Sequence, residues 1–311
     1  MVQKDSIKKP KIVCIGGPTA VGKTKLAISL ANQFNGEIIS CDSIAIYKYL
    51  NIGSAKPTKQ EQLLAKHYMI DIKEPNQQFD MAEYRNMARD IISDILSRGK
   101  LPIIAGGTGL YMKGLLFPLE LGCTQKSDAV RDKYKKIAEQ KGGEYLLNYL
   151  SQIDPQSASK LYPKDIQRII RAIEIFELTG KKKSDYKTEL VSKYDYKLIF
   201  LNDNRADLYS RIDARVDNML KLGLESEARD TIAKFGLNKD SQSMGGIGYK
   251  EFFDYFDNKI TYNQLVEQIK LDSRHYAKRQ ITWFKAMPNV VEYNYKDVDK
   301  IVNDVKEFLL K

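Results

Sequence analysis

The chain has 311 residues, of which 43% are hydrophobic and 10% aromatic, and this is enough apolar material for a sizeable core and about two domains. The composition excludes disordered, collagen-like and small disulfide-stapled proteins. Fifty Lys and Arg against forty Asp and Glu leave a net charge of +10, which favours a polyanionic partner.

The three cysteines are isolated in the sequence and show no C-x-x-C spacing; they are Cys14, Cys41 and Cys123. They predict neither a disulfide framework nor a cysteine zinc site. No apolar run reaches the roughly 18 residues that a membrane-spanning helix needs, and no signal-peptide core follows the basic N-terminus. We therefore expect a cytoplasmic protein that does not associate with a membrane.

The first half alternates short apolar runs with longer amphipathic stretches, as in β-α units that build a parallel sheet. Strands are predicted at residues 11–15, 37–40 and 101–105. Helices are predicted at 24–34 and 82–99, where apolar residues recur at helical spacing.

The pattern changes between about residues 123 and 197 to charged, Tyr-rich helical segments, most clearly at 132–150 and 165–180. A strand at 196–202 follows, and helical sequence runs from Arg205 to the C-terminus. We therefore predict a core formed by residues 1–122 and 198–311, with an inserted helical subdomain at 123–197.

A phosphate-binding motif follows the first predicted strand and precedes the first helix. It fits G-x-x-x-x-G-K-[ST] and consists of Gly17, Pro18, Thr19, Ala20, Val21, Gly22, Lys23 and Thr24. Its glycines let successive backbone N–H groups face one anion, while Lys23 neutralises phosphate oxygens and Thr24 can hold Mg²⁺. The fold class predicted is therefore α/β, a P-loop NTPase-like parallel sheet flanked by helices, with the helical insert.

The other residues of a nucleotide hydrolase are hard to find. The strand at 101–105 ends in GGTG from Gly106, not in a carboxylate. Asp42 follows the second strand, at the sheet edge where ligands gather, and can act as general base or metal ligand, or merely as a helix N-cap. Since His67 and His275 are the only histidines and lie far apart, acid–base chemistry is assigned to carboxylates.

Two basic helical segments suit RNA binding. Gln167, Arg168 and Arg171 share one helix face in the first. In the second, residues 268–284, cations such as Arg274 and Lys278 are interleaved with aromatic residues, a combination that neutralises phosphates and stacks on bases. For both segments the alternative is a charged face that is only solvated.

Taken together, these blocks resemble the tRNA dimethylallyltransferases, and the resemblance covers nearly the whole chain. In chain order the matching blocks are GPTAVGKT from Gly17, DSIAIYKYLNIGSAKPT from Asp42, HYMIDI from His67, GGTGLYMKGLL from Gly106, QRIIRAIEIFELTG from Gln167, RIDARVDNMLKLGLESEA from Arg211, IGYKE from Ile247 and KRQITWF from Lys278. Their number and order carry the resemblance, which a P-loop alone would not.

The resemblance implies transfer of a dimethylallyl group from dimethylallyl diphosphate to N6 of adenosine 37, in tRNAs that read codons beginning with U, with Mg²⁺ as cofactor. The P-loop would grip the diphosphate, and Asp42 would take the proton from N6. The implied partners are the donor and the tRNA anticodon stem-loop, with the chain acting as a monomer.

The implied catalytic residues are Asp42, Thr19, Lys23, Arg211 and Arg215. The implied tRNA contacts are Asp42, Ser43, Ile44, Ala45, Thr108, Arg131, Gln167, Arg168, Ile169, Ile170, Arg171, Arg274 and Lys278.

Three positions depart from the pattern of the family. Ala45 stands where Gln is common, Gly245-Gly246 replaces a Gln-Ala pair, and Tyr68 replaces a usual His. The chemistry is left intact by these changes, whereas the base contact expected at residue 45 is altered.

Two other classes share part of the pattern. A small-molecule kinase has the same P-loop and an Asp after an early strand, and it predicts tight ATP binding and a pocket for an acceptor hydroxyl. A non-catalytic RNA-binding ATPase predicts nucleotide turnover stimulated by RNA.

Overall fold

The computed structural model describes residues 9–118, 127–186 and 190–311, so Cys123 lies outside the described residues. The chain divides into two compact units, one formed by Met1–Leu116 and Ser192–Lys311 and the other by Phe117–Val191. The second unit begins and ends about six residues before the boundaries predicted at 123 and 197. At the second boundary the reason is that residues 195–197 already pair with residues 11–13 in the sheet.

A parallel sheet runs through the first unit. In the described part of the chain its strands are β1 (Lys11–Gly16), β2 (Gly36–Ser40), β3 (His67–Tyr68), β4 (Leu101–Ala105), β5 (Asp195–Asn202) and β6 (Val290–Asn294). Their order across the sheet is β3-β2-β4-β1-β5-β6, and every neighbouring pair is parallel. The α/β fold class is confirmed.

The two outer strands were not predicted. β3 has only two residues, which is too short for a recognisable pattern. In β6 only Tyr293 is buried, so this edge strand lacks the apolar run of a central strand. The expectation of helix alone after Arg205 is therefore wrong.

Helices surround the sheet and form most of the second unit. They are α1 (Lys23–Gln33), α2 (Lys59–Leu64), α3 (Met81–Ser97), α4 (Gly109–Leu116), α5 (Asp128–Ile153), α6 (Pro155–Ala158), α7 (Ile166–Thr179), α8 (Arg205–Lys221), α9 (Leu224–Phe235), α10 (Phe252–Phe256), α11 (Tyr262–Lys285) and α12 (Val298–Leu310). Among the described helices, none is long and apolar enough to cross a membrane.

The core of the first unit follows from the alternation of side chains along the strands. Val13 and Ile15 point to one face of β1, where they pack in a buried cluster with Leu30 of α1 and Ile301 of α12. Because β1 is central and apolar on both faces, its carboxyl end is held rigidly at the middle of the sheet edge.

The second unit has its own apolar core. Leu146 and Leu150 of α5 pack there against Ile169 and Ile173 of α7. The α5 helix is interrupted at Gly142, whose φ of 81° is the left-handed conformation that glycine adopts most readily.

Glu37 is a buried carboxylate at the amino end of β2, with its side chain 3% exposed. It accepts hydrogen bonds from Arg98 Nη1 and Nη2 at 2.7 and 2.6 Å, from Lys100 Nζ at 2.6 Å and from the Tyr68 hydroxyl at 2.7 Å. The bonds from Arg98 hold the pKa of Glu37 well below its usual range, although burial opposes them. Tyr68, where the family commonly has His, therefore has a structural partner in this chain.

Glu37→Gln is expected to lower the free energy of unfolding by about 3 kcal/mol at pH 7, because two cations lose a buried partner. Since the folded pKa is depressed, this contribution is present above the unfolded pKa of about 4.3 and disappears as the pH falls below it. Urea unfolding at pH 7 and in acid measures the difference between wild type and variant, which should shrink in acid. Equal stabilities at pH 7 would contradict the expectation.

Candidate functional site

The P-loop joins the end of β1 to the start of α1. Its backbone is left-handed at Ala20 (φ 62°) and at Gly22 (φ 99°), which is the N-cap of α1. Such turns direct successive N–H groups into one concavity that suits an anion. Residues 19–24 line a cavity of about 830 Å³, while Gly17 and Pro18 are buried.

Lys23 folds back onto this loop. Its Nζ donates to the carbonyl oxygens of Gly17 at 3.0 Å and Pro18 at 2.7 Å. Burial, helped by the nearby Arg215, lowers the pKa of Lys23 to about 7. An anion in the loop would restore the charge of this amine, since opposite charge favours the protonated form.

Asp42 lies two residues beyond the end of β2. Its Oδ1 accepts hydrogen bonds from the backbone N–H groups of Ile44 at 2.8 Å and Ala45 at 3.1 Å, so the local capping role considered from the sequence is present. Among the described residues only Oδ1 takes part in such bonds, and the carboxylate also lines the cavity. The Asp42 side chain can therefore cap the local turn through Oδ1 and still act as a general base or metal ligand in the cavity.

Thr108 links the loop after β4 to the loop after β2. Its Oγ1 accepts a hydrogen bond from the backbone N–H of Ser43 at 3.1 Å. The strand order places β2, β4 and β1 side by side, so the loops that follow them meet at one edge of the sheet. The sequence-predicted Asp42, Thr108 and P-loop are thus brought together.

A second, smaller cavity of about 250 Å³ adjoins the first. Ser43, Ile44 and Arg279 are among its lining residues, and Ala45 lines the larger cavity. The residues that line both cavities are Thr19, Asp42, Ser54, Arg215, Met219 and Tyr276. Ligands bound in the two cavities would therefore meet at Asp42.

Of the two candidate arginines of α8, Arg215 is the one that faces the cavities. Burial lowers its pKa and the nearby Asp42 opposes this, but a guanidinium remains charged in proteins. Arg211 instead donates from Nε to the carbonyl of Ala20 at 3.2 Å and lies 2.7 Å from the carboxylate of Asp203. The resemblance left open which of the two arginines contacts the diphosphate, and in the structure Arg211 supports the P-loop backbone while Arg215 lines the cavities.

Gln280 is a site residue that the sequence did not reveal. It is 5% exposed, accepts from the backbone N–H of Thr19 at 2.8 Å and donates to the carbonyl of Gly107 at 3.0 Å. Tyr276, one helical turn earlier on α11, lines both cavities, and burial raises its pKa. The spacing of four places Tyr276 and Gln280 on one face of α11, but it does not indicate that this face meets the P-loop.

The cations of α11 mostly have partners within the first unit. Arg274 contacts both carboxylate oxygens of Asp213 at 2.7 and 2.8 Å, and Lys270 lies 2.7 Å from Asp217. Lys278 is exposed. The stripe of cations expected for RNA is therefore largely neutralised, and Arg274 ties α11 to α8.

In the second unit, Arg131 and Arg171 surround the fully buried Glu174, whose carboxylate lies 2.8 Å from Arg131 Nε and 2.5 Å from Arg171 Nη1. Burial alone would raise the pKa of Glu174, but hydrogen bonds from the two arginines lower it to about 2. Both arginines therefore stabilise the unit internally, whatever further contacts they make.

Two of the expected tRNA contacts on α7 have buried side chains. Ile169 and Ile170 are 0% and 3% exposed and pack in the apolar core of the second unit, so their side chains do not form part of its surface. Gln167 and Arg168 are exposed on the same helix, with the Arg168 side chain 71% exposed.

The oxygen donors of the larger cavity suit a Mg²⁺ ion that arrives with a phosphate ligand. Thr24 and Asp42, whose side chains carry a hydroxyl and a carboxylate, both line this cavity. Within the described ranges, no group of three His, Cys, Asp or Glu side chains could hold a metal ion by itself. Because Mg²⁺ takes about six oxygen ligands, phosphate oxygens and water would have to complete its shell.

Replacing Gln280 by Glu should weaken the binding of inorganic diphosphate by roughly tenfold, because a carboxylate can still accept from the Thr19 N–H but cannot donate to the Gly107 carbonyl, and it adds negative charge to the cavity that would hold the anion. Titration calorimetry of wild type and variant measures this change. Unchanged affinity in a folded variant would show that the link between the two loops does not shape the anion site.

Diphosphate binding at pH 8 should take up roughly 0.5–1 proton through Lys23, because its pKa of about 7 in the free protein rises when an anion enters. Protonating Lys23 costs more free energy as the pH rises above 7, so the affinity for diphosphate should fall over that range. Calorimetry in two buffers of different ionisation enthalpy measures the proton count, and Lys23→Arg is the control because Arg stays charged. Identical buffer dependence of the two proteins would rule out Lys23 as the titrating group.

Comparison with known proteins gives consistent results over most of the chain. The family model described as IPP transferase matches residues 45–287. A tRNA dimethylallyltransferase of Thermoanaerobacter sp. (strain X514) is 45% identical over 306 residues, covering 97% of this chain and 96% of the relative. One from Bacillus cereus (strain B4264) is 45% identical over 296 residues, covering 94% and 93%.

Solved structures agree with these sequence matches. The full-length tRNA isopentenylpyrophosphate transferase of Bacillus halodurans superposes with a TM-score of 0.73 at 38% identity, covering 97% of each chain. A eukaryotic dimethylallyltransferase acting on tRNA gives a TM-score of 0.79 at 28% identity, covering 96% of this chain and 77% of the other.

Proposed function

The chain belongs to the IPP transferase family, and we propose that it is a tRNA dimethylallyltransferase that uses dimethylallyl diphosphate to modify N6 of adenosine 37 in tRNAs reading codons that begin with U. The observation that carries this proposal is the meeting of two cavities at Asp42, one lined by the P-loop and one lined by the loop after Asp42. One cavity suits the diphosphate and the other the acceptor base. We further propose that the reaction takes place in the cytoplasm.

The P-loop cavity supplies the chemistry that a diphosphate leaving group needs. As the bond between C1 of the donor and the diphosphate oxygen breaks, negative charge builds on that oxygen. The P-loop, Lys23 and Arg215 line the cavity that would hold this oxygen and can supply N–H donors and positive charge to it. Preorganised groups of this kind are among the largest contributors to catalysis. Arg211 contributes indirectly by fixing the Ala20 carbonyl.

Mg²⁺, held by Thr24 and diphosphate oxygens, would neutralise further charge on the leaving group.

Asp42 is placed to serve as the base. The new bond forms between N6 of adenine and C1 of the donor while the C1–O bond breaks, and the proton of N6 passes to the Asp42 carboxylate. Since Oδ1 is fixed by Ile44 and Ala45, the carboxylate has a defined orientation, with Oδ2 left to accept the proton. Diphosphate leaves with the electron pair of the C1–O bond, so it carries one more negative charge than it did in the donor, and the proton taken up by Asp42 balances this charge.

The acceptor base must leave the anticodon-loop stack to reach Asp42, at a cost of about a few kcal/mol that a single-stranded loop reduces. Ser43, Ile44 and Arg279 line the cavity that would receive it. The net charge of +10 favours the RNA, and the exposed Gln167, Arg168 and Lys278 are available for its backbone. The comparisons support this activity and not the small-molecule kinase.

Asp42→Asn should reduce kcat by on the order of 10² to 10⁴, because an amide keeps the acceptor for Ile44 and Ala45 but cannot take a proton. Single-turnover transfer of radiolabelled dimethylallyl from the diphosphate to an unmodified anticodon stem-loop measures the effect. Asp42→Ala is the comparison variant, since it removes both the base and the turn.

Transfer at the wild-type rate by Asp42→Asn would show that Asp42 acts only through the turn. Absence of transfer by the wild type, together with ATP consumption on a small-molecule acceptor, would favour the kinase.

A further inference from the structure

Glu227 on α9 holds a loop that lies far from it in the sequence. Its carboxylate accepts hydrogen bonds from three successive backbone N–H groups, those of Asn51 at 2.8 Å, Ile52 at 2.9 Å and Gly53 at 3.2 Å. The hydroxyl of Tyr249 donates a fourth bond to the same carboxylate, at 2.6 Å. Three successive N–H groups form a concavity for an anion, and here an anionic side chain of the protein fills it.

Tyr249 contacts both the Glu227 carboxylate and the loop that Glu227 holds. It is fully buried, and burial raises its pKa well above the usual range, so it stays a neutral donor. Its ring lies so close to Gly53 that a Cβ at that position would be 2.6 Å from the ring. Only a glycine lets the backbone approach the ring in this way.

The loop held by Glu227 forms the wall between the two cavities. Asn51 and Ile52 line the larger cavity, Gly53 lines the smaller one, and Ser54 lines both. A shift of this loop would therefore change the distance between ligands in the two cavities without touching the P-loop or Asp42.

The loop has a second attachment that does not depend on Glu227. The buried Lys56 Nζ donates to the Tyr47 carbonyl at 2.8 Å, to Asn51 Oδ1 at 2.9 Å and to the Asp71 carboxylate at 2.6 Å. Loss of Glu227 is therefore expected to loosen the backbone of the loop while Lys56 keeps the loop attached.

We propose that Glu227, together with Tyr249, is a positioning residue for dimethylallyl transfer, because it fixes the wall that sets how donor and acceptor meet at Asp42. This inference rests on the proposed function. It predicts a loss in the rate of transfer more than in the binding of either substrate, since the groups that grip the diphosphate stay in place.

The test compares Glu227→Gln and Tyr249→Phe with a matched control, Glu225→Gln. Glu225 lies on the same helix and pairs with Arg229 at 2.9 Å on the surface. Two measurements are made well below the unfolding transition: kcat and KM for dimethylallyl diphosphate and for the anticodon stem-loop, and hydrogen exchange of the amides of residues 51–53.

Glu227→Gln should lower kcat by roughly 10- to 100-fold with less than about threefold change in either KM, because misplacement by about 1 Å can cost that much. Exchange at residues 51–53 should become on the order of tenfold faster. Tyr249→Phe keeps the ring and the three backbone bonds, so its kcat should fall by about fivefold. Glu225→Gln should match the wild type in both measurements.

Faster exchange with an unchanged kcat would overturn the inference, because Glu227 would then hold the loop without positioning the reaction. If Glu227→Gln fails to fold, Tyr249→Phe decides, and wild-type kcat in that variant would likewise overturn it. A wild-type protein that transfers no dimethylallyl group would overturn the proposed function itself, an outcome visible before any variant is compared.

Discussion

The hydrogen bonds of Gln280 join two loops that must both contact the substrates of the proposed reaction. One end of its amide holds the P-loop at Thr19, and the other holds the loop after β4 at Gly107. This side chain comes from α11, more than 150 residues away from either loop in the chain. Because a side-chain amide carries both an acceptor oxygen and a donor NH2 group, it matches an N–H on one loop and a carbonyl on the other, and a buried network of this kind is costly to leave half satisfied.

The site therefore combines a rigid sheet edge with loops tied by long-range polar contacts. The order β2-β4-β1 brings the P-loop, Asp42 and Thr108 to one edge. Contacts from α8 and α11 then set the relative positions of these groups. Arg215 lines both cavities, and Arg211 donates a hydrogen bond to the P-loop backbone at Ala20. Catalysis of the proposed reaction depends on this alignment, since the bond that breaks and the bond that forms share one carbon atom.

The sequence predicted those parts of the fold and site that are encoded locally. The P-loop motif has a fixed spacing, and Asp42 directly follows an apolar strand, so both could be placed at the sheet edge from the sequence alone. Gln280 could not be found this way, because its partners at residues 19 and 107 are apparent only after folding. The same holds for Arg211 and Arg215, which look equivalent on one helix.

At other positions the sequence alone does not separate a structural role from a binding role. Arg131 and Arg171 look like RNA-binding cations in the sequence, but a buried carboxylate at Glu174 accounts for their position. Ile169 and Ile170 belong to the block for which the resemblance implies tRNA contacts, whereas the helical period turns their side chains into the core.

The central claim is that the two cavities bring the donor carbon to N6 of one adenosine. Nucleoside mass spectrometry of unmodified tRNA incubated with the protein, Mg²⁺ and dimethylallyl diphosphate tests this most directly, with released diphosphate measured in parallel. The account predicts one N6-dimethylallyladenosine per tRNA, at adenosine 37, and one diphosphate for each group transferred. A group attached to another atom or another nucleotide, or diphosphate released without modified RNA, would contradict it.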